Sequence, residues 1–246
     1  MRKHILNLTF SEKECREIRT GRVELDPANG LDLRVPVAVG TKRVGDEEPP
    51  MKREKKREKI ETLRIFTDGS CVNNGKKNSV GGIGIHFPDH QVTDVSLPYR
   101  GYVPLVDSRS GQELCPPNHR GKVTNQRAEL TAILVAITLA HEYFQSLSAN
   151  FEKSSRMVDL YTDSEYCINS LTNWCYTWKA KDWKTANGKP VKNRDLIEPI
   201  LALLKKQRVT FFHSVAHTNG QDERSVGNAR ADSLATQATR SQLKKK

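Results

Sequence analysis

Long apolar runs are missing from this 246-residue chain. A bilayer-spanning helix needs roughly 20 consecutive apolar residues, and the longest run, Ala132 to Ala140, is about half that, the length of a buried helix. Cysteine is scarce. Cys15, Cys71, Cys115, Cys167 and Cys175 make five, an odd number without Cys-x-x-Cys spacing, as expected of reduced thiols in an intracellular protein. Hydrophobic residues reach only 36%, so a core domain of roughly 150–180 residues with polar extensions is expected. Acidic residues are outnumbered, 29 against 40 Lys and Arg, leaving a net charge of +11. That balance points to a polyanionic partner, nucleic acid or an anionic surface.

The stretch Leu63-Arg64-Ile65-Phe66-Thr67-Asp68-Gly69-Ser70 alternates apolar and polar residues like a strand, ends on a carboxylate and then turns at glycine. An unpaired buried carboxylate costs several kcal/mol or takes up a proton, so an aspartate there implies something bound. Met157-Val158-Asp159-Leu160-Tyr161-Thr162-Asp163-Ser164 repeats the pattern. Two neighbouring strands ending on Thr-Asp would present two carboxylates to one point, a candidate Mg²⁺ site.

Residues 1–60 read as an N-terminal extension and basic linker, partly disordered. Ser11-Glu12-Lys13-Glu14 has the form of a capping box for one short helix, and Leu31 to Val35 alternates as an edge strand would. Pro27, Gly30, Pro36, Gly40, Gly45 and Pro49-Pro50 then punctuate the chain too often for a core. Lys52 to Lys59 is a charge run, a solvated linker or frayed helix start by default, with a nuclear-import or nucleic-acid-anchoring patch as the alternative. Glu12, Glu14 and Glu17 argue against a transit peptide. The nucleus or cytoplasm is therefore expected, with the mitochondrion left open.

From residue 61 to 240 the texture is that of one globular domain, expected to carry whatever chemistry the chain performs. Leu63 to Ser70, Val80 to Phe87 and Gln91 to Leu97 form an antiparallel meander with a polar turn at Asn73-Asn74-Gly75. Pro98 to Lys122 is a long loop. A helix capped by Thr124 or Asn125 runs to about Leu147 and is apolar nearly all round, which leaves Glu129, in its first turn, little open solvent. After the fourth strand, Ser164 caps a helix through Leu171. Thr172 to Val191 interleaves Trp174, Tyr176, Trp178 and Trp183 with Lys179, Lys181, Lys184 and Lys189, a surface suited to stacking on and neutralising nucleic acid. Asn193 to Lys206 is an amphipathic helix, Val209 to Val215 a fifth strand and Asn228 to Thr239 a last helix. Residues 241–246 are a basic tail. The expected fold is α/β, a mixed five-stranded sheet flanked by helices, with Asp68, Glu129, Asp163 and Asp232 at element ends or first turns.

At this point the sequence resembles cellular type 1 ribonuclease H. The likeness runs from Thr62 to Thr239 and rests on Phe66-Thr67-Asp68-Gly69-Ser70, Thr124-Asn125-Gln126-Arg127-Ala128-Glu129, Tyr161-Thr162-Asp163-Ser164, Thr172-Asn173-Trp174, Trp183-Lys184-Thr185 and Gly227-Asn228-Ala229-Arg230-Ala231-Asp232. It implies a ribonuclease H-like fold and a monomeric endonuclease cutting the RNA strand of RNA/DNA hybrids, leaving 3′-hydroxyl and 5′-phosphate ends. Two Mg²⁺ ions, with Mn²⁺ as a substitute, would be held by Asp68, Glu129, Asp163 and Asp232, with His217 as the loop histidine. Asn74, Asn125 and Gln126 would face the minor groove, where amides meet 2′-hydroxyls. Trp174 would stack on a DNA sugar, and Lys122, Thr124 and Asn193 would take a DNA phosphate. Trp183, Lys179, Lys181 and Lys184 fall in the family's basic protrusion.

Three departures stand out. Lys122 replaces a common arginine, losing the bidentate fork. Ala216-His217-Thr218-Asn219 replaces a Gly-His-Ser-Gly pattern and is followed by a longer loop, expected through Gly227. Residues 1–60 do not resemble the hybrid-binding domain of many eukaryotic members.

Overall fold

A computed structural model of the chain describes residues 61–101, 103, 121–147, 156–214 and 222–243, with the backbone of 24–26 and 30–32. The expected helix from Ser11, the charge run 52–59, most of the 98–122 loop, His217 and residues 244–246 lie outside the described residues. Within the extension, β1 (Glu24–Asp26) and β2 (Gly30–Asp32) pair antiparallel.

A mixed five-stranded sheet forms the rest, from β3 (Glu61–Val72), β4 (Val80–His86), β5 (Val95–Tyr99), β6 (Arg156–Thr162) and β7 (Arg208–His213), in the order β5-β4-β3-β6-β7. The meander β3-β4-β5 is antiparallel, whereas β6 joins β3, and β7 joins β6, in parallel. Parallel neighbours require crossover connections. Here they are helical: α1 (Asn125–Ser146) precedes β6, and α2 (Glu165–Asn169), α3 (Cys175–Ala180) and α4 (Arg194–Leu204) precede β7. The last helix, α5 (Glu223–Leu243), packs over β3, β4 and β5.

Period-two alternation sorts β3 between two layers. Leu63 and Ile65 join the main core with α1 residues such as Leu130, Ile133, Leu134 and Ile137, while Phe66 clusters with Tyr161 and Ala231 of α5. Thirteen residues of α1 are buried, as its nearly continuous apolar surface requires. Cys71, Cys167 and Cys175, the cysteines among the described residues, are free thiols. Among the described residues no helix is long and apolar enough to cross a membrane.

Several boundaries differ from the sequence reading. The first strand does not end at Asp68 but continues to Val72, because from Asp68 onward it pairs with β4 residue by residue, Asp68 opposite Gly84 and Val72 opposite Val80. What ends near Asp68 is its parallel partner, for the β3–β6 register stops at Phe66 opposite Tyr161. The third strand is shifted to Val95–Tyr99 because Asp94 closes the preceding turn: its Oδ1 accepts from the Phe87 amide at 3.0 Å and lies 2.9 Å from His86 Nδ1, and Arg230 reaches Oδ2 at 3.2 Å.

The helix capped by Ser164 does not stop at Leu171. It passes through a π-helical turn at Ser170–Trp174 into α3, since neither Gly nor Pro interrupts that stretch. Finally, α5 begins at Glu223, five residues before the expected Asn228, because Asp222 caps it: Oδ1 accepts from the amides of Arg224 and Ser225, each at 3.1 Å. Gly227 therefore lies inside the helix rather than at the end of a loop, where a Cβ would sit 2.5 Å from the Phe66 ring.

Candidate active site

Asp68 lies at the centre of the sheet, 8% exposed, and two glycines let two helices reach it. A Cβ on Gly69 would stand 2.3 Å from the Glu129 amide nitrogen, so only glycine allows the first turn of α1 to pack against that point of β3. Gly84, opposite Asp68 on β4, does the same for α5, since its Cβ would fall 2.0 Å from the Ala231 carbonyl oxygen. Glu129 and Asp232, the residue after Ala231, are thereby brought to Asp68 from two helices. Asp163 follows the last residue of β6, next to the point where β6 stops pairing with β3.

The electrostatics report the same convergence. The Asp68 carboxyl is pushed up from 3.8 to about 7, chiefly because burial disfavours its charge, and further by the negative charges of Asp163, Asp232 and Glu129, against a lowering backbone hydrogen bond from Gly69. Burial also raises the Glu129 carboxyl, as does Asp163, while hydrogen bonds from Ser164, Cys167 and Asn125 oppose the rise. Both Glu129 oxygens are held: Asn125 Nδ2 donates to Oε1 at 2.7 Å and Ser164 Oγ to Oε2 at 2.6 Å. Ser164 Oγ also accepts from the Cys167 amide at 3.3 Å, so one hydroxyl caps α2 and steadies Glu129. Thr236 Oγ1, one turn along α5, donates to Asp232 Oδ1 at 3.3 Å.

Four carboxylates around a buried point are a hard-oxygen donor set of the kind Mg²⁺ takes, and their mutual repulsion on Asp68 is what cations would relieve. In this respect the residues fit the ions. Among the described residues, however, no three His, Cys, Asp or Glu side chains are already gathered as a ligand set. Glu129 is turned into its own hydrogen bonds, so binding of such ions would require the carboxylates to draw together.

The other expected contacts fall into three groups. Thr124 caps α1, accepting from the Arg127 amide at 3.3 Å, and Asn74 Oδ1 accepts from the Asn125 amide at 3.1 Å, so the β3–β4 turn is tied to the same helix start. Lys122 and Gln126 are exposed beside it. The Asn125 side chain, half-buried, supports Glu129, a contact that the sequence reading did not include.

The second group is the tryptophan segment. Trp174 is exposed, Trp178 half-buried and Trp183 buried, with ring centroids 5.7 Å apart for the first pair and 6.4 Å for the second. Trp183 is thus not a free stacking surface. Arg194 covers its ring at 5.0 Å, and Asp182 and Trp183 both take left-handed φ values, of 51° and 56°, turning that side chain back into the core. The turn so anchored leaves Lys179, Lys181 and Lys184 exposed.

The third group is Asn193, at the start of α4 with φ 59°. Arg127, unremarked in the sequence reading, reaches it: the guanidinium forks onto Asp195 at 2.9 and 2.6 Å and also meets Asn193 Oδ1 at 3.4 Å and Tyr99 Oη at 3.3 Å. Its position in the same motif as Glu129 was the available signal.

His217 lies outside the described residues. His213, within the expected fifth strand, is the last residue of β7, and its Nε2 stands 3.3 Å from the backbone carbonyl oxygen of Asp163.

Comparison with known proteins bears on the family and the fold. A family model for RNase H matches residues 60–240. A probable ribonuclease H of Acanthamoeba polyphaga mimivirus is 34% identical over 180 residues, 73% of this chain and 67% of that protein. The ribonuclease H of Schizosaccharomyces pombe is 32% identical over 171 residues, 70% of this chain and 50% of that protein, so the chain spans about half the length of that relative. In fold, the solution structure of the PFV RNase H domain is similar at a TM-score of 0.50 and 24% identity, over 73% of this chain and 94% of that domain.

Proposed function

The chain belongs to the ribonuclease H family, and we propose that it is an endonuclease hydrolysing the RNA strand of RNA/DNA hybrids, acting inside the cell as a monomer. The observation that carries this reading is the convergence of Asp68, Glu129, Asp163 and Asp232, from four separate elements, on one buried point where three of them raise the fourth. Two Mg²⁺ ions held by these four residues, replaceable by Mn²⁺, would supply the positive charge for an in-line displacement by water that leaves 3′-hydroxyl and 5′-phosphate ends.

The chain's own groups do the rest. Asn125 and Ser164 hold the Glu129 carboxylate from both sides, and Thr236 orients Asp232. His217 follows β7 in sequence and would help transfer a proton or disturb the metal that holds the product, and either role speeds turnover without creating the site. Trp174 stacks on a DNA sugar, while Lys179, Lys181 and Lys184 neutralise backbone phosphates. Trp183 serves this surface as its buried anchor. Asn74 and Gln126 meet the minor groove, and Lys122, Thr124 and Asn193 take a DNA phosphate.

The test is cleavage of an end-labelled RNA/DNA hybrid with and without Mg²⁺, beside RNA and DNA duplexes of the same sequence. Metal-dependent cutting of the RNA strand in the hybrid alone is expected, lost in Asp163→Asn while metal-free hybrid binding persists. Equal cutting of the three duplexes, or undiminished turnover in Asp163→Asn, would overturn the proposal.

A further inference from the structure

Tyr166 lies three residues beyond Asp163, in α2, and touches two of the groups assigned to substrate. Its hydroxyl accepts a hydrogen bond from Asn193 Nδ2 at 2.9 Å. Its ring meets Trp174 edge to face, with centroids 6.0 Å apart. It also lines a cleft of about 360 Å³ together with Gln126, Trp178, Thr185, Lys189 and Lys192. This cleft runs from Gln126 at the start of α1 to Lys189 and Lys192, and Tyr166 forms part of its wall beside Trp178.

Asn193 is gripped from both ends. A guanidinium can only donate, so Arg127 Nη1 at 3.4 Å selects the amide oxygen. The NH₂ is then turned to Tyr166, which fixes an orientation that an amide alone would leave free. The backbone of Asn193 is left-handed at φ 59°, and no side-chain bond caps α4 there. Asparagine tolerates that conformation better than most residues, and a sparsely populated backbone persists where its surroundings over-determine it. Here the determinants are Tyr166 and Arg127.

We propose that Tyr166 is a positioning residue for hybrid binding, holding Asn193 by its hydroxyl and Trp174 by its ring so that the phosphate contact and the stacking contact keep a fixed spacing. The inference rests on the ribonuclease H reading above and deepens it. A hydrogen bond that only preorganises a binding group acts on ground state and transition state alike, so its loss appears in KM and spares kcat.

The test is a mutant cycle on hybrid cleavage with Mg²⁺. Tyr166→Phe removes the hydroxyl and keeps the ring, and it is expected to raise KM about three- to tenfold, the range for one hydrogen bond, with kcat within about twofold. Added to Asn193→Ala, it should do nothing further, because both remove the same coupling. Added to Trp174→Ala, its effect should multiply. A merely structural role for the tyrosine would instead lower kcat and thermal stability, and would multiply with Asn193→Ala.

Should Tyr166→Phe fail to fold, Asn193→Ala must by itself raise KM at constant kcat, and a normal KM in that variant refutes the proposal. Parental turnover of hybrid combined with an unaltered KM in Tyr166→Phe would overturn this inference alone. No turnover by the parent would overturn the enzyme reading and this inference with it.

Discussion

Asp68→Asn should stabilise the protein when metal is withheld, and the gain should depend on pH. The folded chain holds the Asp68 proton up to about pH 7, whereas the unfolded chain releases it near 3.8. Below 3.8 both states are protonated and the aspartate carries no penalty. Between the two values the folded state binds more protons than the unfolded one, so stability falls as pH rises, and above 7 the full penalty is present. A difference of about three units at 1.36 kcal/mol each gives roughly 4 kcal/mol, a ceiling because water penetration and relaxation relieve part of it.

Asparagine is neutral throughout and nearly the same shape, so the substitution removes the penalty without opening a cavity. For a domain of this size each kcal/mol moves Tm by about 2–4 °C. The assay is thermal unfolding in chelator at pH 4.5 and pH 8, then at pH 8 with Mg²⁺. At pH 8 without metal the variant should melt above the parent by up to about 8–16 °C. The gap should shrink towards pH 4.5, and Mg²⁺ should close or reverse it, because ions stabilise the parent in proportion to their affinity and the variant lacks a ligand. A gap of the same size at both pH values would show that charge is not its cause. A variant melting at or below the parent at pH 8 without metal would refute the burial and crowding of the Asp68 carboxylate on which the site is argued.

Neutralising Lys179, Lys181 and Lys184 to Gln should weaken binding across hybrid sequences and flatten the slope of log K against log salt by about 2–3, at roughly 0.9 per phosphate contact; an unchanged slope would make them an ordinary solvated face. Asp195→Ala leaves Arg127, whose side chain is 8% exposed, as a buried cation without its fork partner, and should cost about 3–5 kcal/mol in denaturant unfolding, with much of it recovered in an Arg127→Met/Asp195→Leu pair; a loss within the range of a surface pair would show that Arg127 is hydrated. Gly69→Ala must push the α1 backbone off β3, because its Cβ would stand 2.3 Å from the Glu129 amide nitrogen. With Glu129 displaced by even about 1 Å, turnover of hybrid should fall about a hundredfold, and parental turnover in that variant would mean that the helix start is not the positioning element argued above.

The elements themselves were legible because the signals that make them are local. Period-two stretches at β3 and β6, the cap at Thr124 and the nearly all-apolar α1 each carry their structure in a window of about ten to twenty residues. The carboxylates could be read as one set because each sits next to an element boundary or a helix start. Boundaries failed where a distant partner decided them. The continuation of β3 past Asp68 depends on pairing with β4, and the early start of α5 depends on Asp222 reaching forward to the Arg224 and Ser225 amides, a cap hidden among other polar residues.

Burial was harder still. Trp183 shares the composition of its neighbours, yet two successive left-handed residues and the Arg194 guanidinium send it inward while Trp174 stays out. Alternation of lysine and tryptophan cannot distinguish an anchor from a contact, because that difference is made by backbone dihedrals and not by side-chain type. The same holds for Asn125 and Tyr166: an amide beside a motif glutamate and a tyrosine in a short helix are unremarkable in sequence. Only the fold makes one a brace for Glu129 and the other a strut between Asn193 and Trp174. Residues that hold functional side chains are specified by tertiary geometry, whereas the functional side chains are specified by the chemistry they must perform, so a chain discloses its carboxylates before it discloses what steadies them.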